Sequence, residues 1–164
     1  MSLELVVDTH KKGVRLALLD DGKLIELHEE ESGKAEFAVG DIYLGKVRKV
    51  VPSLNASFVD VGYDKDAFLH YLDLGPQFNS QNKFSRDTLR GKQNVADLLY
   101  FKGEKDIPKD GKISEIISSS APILVQVAKE PISSKGPRLS AEITLAGRYL
   151  VLVPFSNKVS ISQK

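Results

Sequence analysis

The stretch GDIYLGKVRKVVPSLNASFVDVGYDKDAFLH, from Gly40 to His70, decides the fold. Ile42 to Val51 reads as a strand interrupted by Gly45, where a bulge or bend is expected. Pro52-Ser53-Leu54-Asn55 reads as a turn. Asn55 to Val61 and Ala67 to His70 then form a hairpin about Tyr63, with residue 58 opposite residue 68. Side chains alternate along a strand, so Val59, Val61, Ala67 and Leu69 share one side. Phe58, Asp60, Phe68 and His70 fall on the other. A small β-barrel with two such rings outside offers them to unpaired bases.

Outward from this block, three short strands precede it: Leu3 to Asp8, Val14 to Leu19 and Leu24 to His28. Thr9 to Gly13 is a polar turn between the first two. Asp20-Asp21-Gly22-Lys23 carries Asp-Gly, a dipeptide suited to a tight hairpin. This antiparallel meander is too small to bury both faces alone. Glu29 to Val39 reads as a linker.

Beyond His70, residues 73–112 change character, with a polar, turn-rich Gly75 to Asn82 and a basic Thr88 to Lys92. Val95 to Phe101 is expected as one short helix, and Lys112 to Ile117 as a helical turn. So long a connection in a compact domain is functional or mobile. Ile123 to Ala128 and Arg138 to Thr144 are strands, with a loop from Lys129 to Gly136 between them. A final apolar strand, Arg148 to Val153, opens at Gly147, and Lys158 to Ser162 is a possible edge strand. The fold class is mainly β. Five strands between Ile42 and Thr144, with a helix-containing connection after the third, follow the order of an OB-type barrel. The meander and the closing strand lie outside it and are expected to pair, which makes the barrel an insertion in a second, smaller unit.

Composition narrows the classes. The chain has 164 residues, 41% apolar, with 27% charged and a net charge of +1, so it builds a core and is not a strongly basic clamp. Any basic surface is local, offset by acid such as Glu29-Glu30-Glu31. There is no Cys, which removes disulfides and thiolate metal sites and fits a reducing compartment. The longest apolar run, Tyr149 to Val153, is far short of the ~20 residues a bilayer requires. The first residues lack a signal peptide's basic and apolar regions. A soluble cytoplasmic protein without a membrane partner is expected.

Candidate binding residues each carry two readings. Phe58 and Phe68 either stack on bases or fill the core. In Lys129 to Arg138, Lys135 and Arg138 either meet phosphates, with Gly136 admitting the backbone, or belong to a solvated hairpin loop. Gly147 either opens a turn or lends its backbone to an anion. Asp8 ends a strand as a metal-ligating carboxylate does, but one carboxylate makes no two-metal site, and turn capping is favoured. His10, His28 and His70 lack metal-ligand spacing. No phosphate loop, nucleophile elbow or paired carboxylate cluster is visible.

Several runs resemble the S1 RNA-binding domain of the ribonuclease E/G family. They are Asp41 to Val47, Ala56 to Gly62 and Ala67 to His70. More specific are Val125 to Ile132 with Lys135-Gly136-Pro137-Arg138-Leu139, and most specific Ile143 to Pro154. The resemblance implies a five-stranded S1-type OB barrel inserted into a catalytically silent, truncated ribonuclease-H-like β-rich subdomain. Residues 1–36 are then its first segment, 37–144 the S1 domain with a long insert at about 73–118, and 145–164 the start of the returning segment. It implies an endoribonuclease parent that cuts single-stranded RNA in processing and decay and favours a 5′-monophosphate end. By motif, Phe58, Phe68 and Lys135 match RNA contacts, with His70 and Arg138 beside them on the same face and loop. Gly147 and Val151 match part of the 5′-phosphate pocket.

The family's catalytic Asp pair, its Mg²⁺ site and its structural Zn²⁺ link lie in a later domain, and the other half of the 5′ pocket beyond Lys164. The chain therefore reads as an inactive N-terminal fragment of a parent expected to be a homo-oligomer. Ser118-Ser119-Ser120-Ala121-Pro122 replaces the family's short Gly-containing approach to the fourth strand, and the insert before it is long. The alternative is a non-enzymatic S1-type adaptor whose insert recruits a protein partner.

Overall fold

The computed structural model describes residues 2–10, 13–31, 37–92, 98 and 100–161. The chain divides into two compact units, Met1–Glu36 and Phe37–Lys164.

The first unit is the meander: β1 (Leu3–His10), β2 (Gly13–Asp20) and β3 (Lys23–Glu31), in the order β1-β2-β3. Its strands are longer than the sequence suggests. The first ladder continues through Thr9↔Val14 and His10↔Gly13. The second runs to Gly13↔Glu31, and Arg15 pairs with Glu29 at 3.0 Å, so Glu29 to Glu31 is strand rather than linker. Asp21 and Gly22, at φ 45° and 76°, make the expected tight turn. Leu3, Leu5, Val7, Leu24, Ile25 and Leu27 are exposed, and none of the described residues of this unit is a buried hydrophobic.

The second unit is built on a closed barrel, β4-β5-β6-β8-β7, which is the OB-type order. Its strands are β4 (Ile42–Val51), β5 (Ala56–Asp60), β6 (Ala67–His70), β7 (Pro122–Lys129) and β8 (Arg138–Ser140). Between β6 and β7 lie α1 (Phe78–Leu89) and α2 (Ile113–Ile116). β4 is continuous through Gly45 and changes partner at Lys46, from β7 to β5. The bulge falls instead between Val47 and Lys49. Gly45 is required for another reason: a Cβ there would stand 2.7 Å from Val59 Cγ1 and 2.9 Å from the Asp60 carbonyl oxygen.

Of the set expected on one side, Val59, Ala67 and Leu69 are buried in the core and Val61 is partly buried against it. Val47, Val125, Val127 and Leu139 are buried with them inside the barrel. Truncating one of the larger of these, such as Leu69→Ala, costs about 2–5 kcal/mol in a close-packed core. Leu74, Phe78, Ile113 and Tyr71 are buried in the same cluster.

α1 falls where the sequence reads as polar and turn-rich. It buries Phe78, Ser80 and Gln81, and the two polar side chains are satisfied. The Ser80 hydroxyl accepts from Glu104 N–H at 2.8 Å, and Gln81 donates to the Leu124 carbonyl at 3.1 Å. Tertiary hydrogen bonds add to the packing of Phe78 and Phe84 in holding this helix. Of the helix expected over Val95 to Phe101, residues 95–97 and 99 lie outside the described residues, and 98, 100 and 101 are not helical. The insert is tied back at Asn55, which donates to the Gly111 carbonyl and accepts from Ile113 N–H at 2.7 Å.

The chain leaves the barrel sooner than Thr144. After Ser140, Ala141 N–H donates to the Asp73 carbonyl, and Thr144 binds the buried Gln126 side chain through N–H and hydroxyl. The final apolar segment is not one strand. β9 (Leu145–Ala146) and β10 (Val151–Leu152) pair as a hairpin, closed by Gly147 N–H donating to the Leu150 carbonyl at 2.8 Å. Residues 158–161 are not strand, and Ser162 lies outside the described residues.

Candidate nucleic-acid interface

Phe58 sits directly opposite Phe68 in the β5–β6 ladder, as the hairpin register requires. Both are half-buried on the outer side, their neighbours Val59 and Leu69 being in the core. The rings meet edge to face, with centroids 5.8 Å apart and planes at 70°. That geometry is favourable for an aromatic pair and leaves ring area facing solvent. His70, two residues along β6, lies 6.5 Å from the Phe68 ring at an interplanar angle of 29°. Its Nδ1 accepts from Leu72 N–H at 3.1 Å, so the neutral ring carries its proton on Nε2.

These rings floor one side of a 780 Å³ groove. The other side comes from the end of β7 and the β7–β8 loop: Lys129, Glu130, Ile132, Ser134, Lys135 and Gly136. A tight turn shapes that loop, with Lys135 N–H donating to the Ile132 carbonyl at 2.8 Å. Two contacts lock it to the β5–β6 loop. Lys65 Nζ donates to the Ser133 carbonyl at 3.1 Å. Gly136 lies so close to the Lys65 and Asp66 backbone that no Cβ fits between them.

The cations of the groove differ in freedom. Arg138 is committed to Asp73 by a bidentate pair. Lys129 and Lys135 are exposed and stand in no ion pair among the described residues. On the same strand as Phe58, Asp60 accepts from Gly62 N–H at 3.0 Å and from Arg48 at 2.6 Å. These two donors, the Gly62 amide foremost, hold its carboxyl below the usual range. A compensated Asp60 presents little repulsion to an anion crossing the face. Residues 1–36 hold nine Asp and Glu against five Lys and Arg, while residues 37–164 hold thirteen against eighteen. The barrel unit is therefore the basic one.

Of the residues singled out from sequence, Phe58, Phe68, Lys135 and Arg138 line one groove, and His70 extends its aromatic face. Gly147 and Val151 do not line it; they belong to the β9–β10 hairpin, with the Gly147 amide already engaged. Lys65 and Lys129 were not anticipated. Lys129 shows itself only in the β7–β8 register, where it faces Arg138. Among the described residues no three His, Cys, Asp or Glu stand together as a metal-ligand group. No described helix is long and apolar enough to cross a membrane.

No protein-family model matches the chain. Curated relatives do. Ribonuclease G of Escherichia coli (strain K12) is 35% identical over 164 residues, which is 100% of this chain and 29% of that protein. Ribonuclease G of Haemophilus influenzae is 33% identical over 99% of this chain and 29% of its own length. Ribonuclease E of a Synechocystis species is 37% identical over 77% of this chain and 15% of its own length. The chain thus spans less than a third of the relatives it matches. With an OB-type barrel where the motifs predict it, and similarity running along its whole length to ribonuclease G, the chain belongs to the ribonuclease E/G family.

Proposed function

We propose that this chain is the part of a bacterial endoribonuclease that holds single-stranded RNA. Bases stack on Phe58 and Phe68, with the His70 Nε2–H beside them, and the backbone passes Lys129 and Lys135. The observation that carries this reading is the Phe58–Phe68 pair on the outer barrel face, flanked by Lys129 and Lys135, which have no ion-pair partner among the described residues. Stacked bases contribute about 1–3 kcal/mol each. Arg138 holds the face in place through Asp73 rather than meeting phosphate.

In this reading residues 1–36 and 145–164 are segments of a ribonuclease-H-like subdomain around an S1 domain at 37–144. The exposed apolar side chains of the meander and of β10 support it, since such sheets require cover. Gly147 and Val151 supply one half of a 5′-phosphate pocket by backbone shape, because the Gly147 amide is used within its own turn. The complete protein is proposed to be a cytoplasmic homo-oligomer that processes and degrades RNA. Mg²⁺ for phosphodiester hydrolysis, and a structural Zn²⁺, belong to chain outside these residues.

Fluorescence anisotropy with a 5′-monophosphorylated single-stranded oligonucleotide tests the reading. Weak, salt-sensitive binding that Phe58→Ala and Phe68→Ala each reduce by about 1–3 kcal/mol is expected. The same RNA incubated with residues 1–164 and Mg²⁺ stays intact. Undiminished affinity in both Phe variants overturns the RNA-holding assignment, and Mg²⁺-dependent cleavage overturns the assignment of chemistry elsewhere.

A further inference from the structure

The barrel registers connect into a single row. Lys49 pairs with Phe58, Phe58 with Phe68, Phe68 with Arg138, and Arg138 with Lys129. The row crosses all five strands at one level. Its members are exposed or half-buried, while the neighbours Val47, Val59, Leu69, Leu139 and Val127 are in the core. The bulge between Val47 and Lys49 creates this alignment. It sets Lys49 opposite Phe58 and frees Arg48 to reach Asp60 at 2.6 Å.

Charge along the row is ordered. Arg138 is neutralised by Asp73. The two ends, Lys49 and Lys129, carry cations without an ion-pair partner among the described residues, and the middle is two rings. Strands lie about 4.8 Å apart, so four steps separate the end lysines by roughly 19 Å along the surface. Two bases on two rings, with a phosphate beyond each, occupy such a track. Lys49 does not line the groove that holds Lys135; it guards the opposite side of Phe58.

We propose that Lys49 is a phosphate-binding residue at the far end of the RNA track. Single-stranded RNA then runs across the strands, from Lys49 over Phe58 and Phe68 to Lys129 and Lys135. This deepens the RNA-holding reading and rests on it.

The test is anisotropy with labelled uridine octamer at several salt concentrations, for the 164-residue chain and its variants. Lys49→Gln is expected to weaken binding about three- to tenfold at low salt and to lessen the log–log salt slope by about 0.7, the loss of one phosphate contact. Lys109→Gln, an exposed lysine of the insert outside the row and the groove, leaves the salt slope at the wild-type value. Thermal melts of both variants matching wild type show that folding is not the cause. Wild-type affinity and slope for Lys49→Gln, while Phe58→Ala weakens binding, overturns the track and leaves the RNA-holding reading intact. If Phe58→Ala and Phe68→Ala also bind as wild type, both readings fail together.

Discussion

Arg138 and Asp73 meet fork to fork, with Nε to Oδ2 at 3.1 Å and Nη2 to Oδ1 and Oδ2 at 3.2 and 2.9 Å. The pair joins β8 to the turn that follows β6. The same turn accepts two more bonds from this region, Ala141 N–H and the Ser140 hydroxyl, both on the Asp73 carbonyl. β8 is only three residues long and touches β6 through one register pair, so these bonds are much of what closes the barrel. Arg138→Ala is expected to destabilise by about 1 kcal/mol, the upper range for a partly exposed bidentate pair. Arg138→Lys recovers little, since an ammonium cannot reproduce the fork. Chemical denaturation checks both. The salt slope of RNA binding stays at the wild-type value; a slope lower by about 0.7 makes Arg138 a phosphate ligand instead.

At Gly136 the two loops around the groove come close together. A Cβ there would stand 2.8 Å from the Lys65 carbonyl oxygen and closer still to that of Asp66. Both obstacles are backbone, so relief requires the loops to part. Gly136→Ala is expected to cost about 1–3 kcal/mol, as other overpacking changes do. It also weakens RNA binding, because Lys135 moves away from Phe68. A crystal structure or amide chemical shifts of the variant locate the movement; shifts confined to residue 136 count against the lock.

The aromatic face was legible because strand alternation and hairpin register are short-range properties. Placing residue 58 opposite 68 about Tyr63 needs only period-two counting, and the ladder agrees. The same holds for Asp21-Gly22 and for the turn ending at Asn55, whose φ is 46°. α1 was not legible. Its sequence, FNSQNKFSRDTL, is rich in poor helix formers, and its buried Ser80 and Gln81 are paid for by partners 24 and 43 residues away. Gly45 was read as a break because a strand glycine has two meanings, bend and close approach, and the neighbour that decides is Val59 on another strand. Lys49 and Lys129 were hidden for a related reason. Both lie beside register shifts, which move a residue across the ladder without any mark in its own sequence.

Asp60 makes the acid side of stability testable. Its carboxyl is held below the ordinary range by the Gly62 amide and by Arg48. A depressed native pKa means the contribution is present at neutral pH, above the unfolded value of 3.8, and is lost as pH falls through the lower native value. Wild type and Asp60→Asn are therefore expected to converge in melting temperature as the pH is lowered below 4, and to differ at pH 7. A constant difference across that range shows that Asp60 acts through uncharged packing alone. At pH 7 the variant also releases Arg48, so a small gain in RNA affinity at low salt is expected alongside the loss of stability.

Phe155 occupies a left-handed conformation, φ 64°, at the third position of a Val153–Ser156 turn closed by Ser156 N–H on the Val153 carbonyl at 3.2 Å. Pro154 suits the position before it, but the conformation itself is one that side chains resist by about 1–2 kcal/mol. What offsets that cost is the ring. It lies 5.6 Å from both Phe84 on α1 and Phe101, which are 5.6 Å from each other. Lys83 stands 5.5 Å above Phe101 and pairs with Glu104 at 2.7 Å. Two substitutions separate the ring from the turn. Phe155→Ala removes the ring and keeps a Cβ in the strained region, whereas Phe155→Gly removes the ring and the strain together. The expected order of melting temperature is wild type, then Gly, then Ala, with Gly above Ala by about 1 kcal/mol, the reverse of their usual ranking outside such turns. Equal melts for the two variants show that the turn relaxes once the ring is gone. Glycine equal to wild type shows that the three-ring cluster contributes nothing to holding the segment against α1.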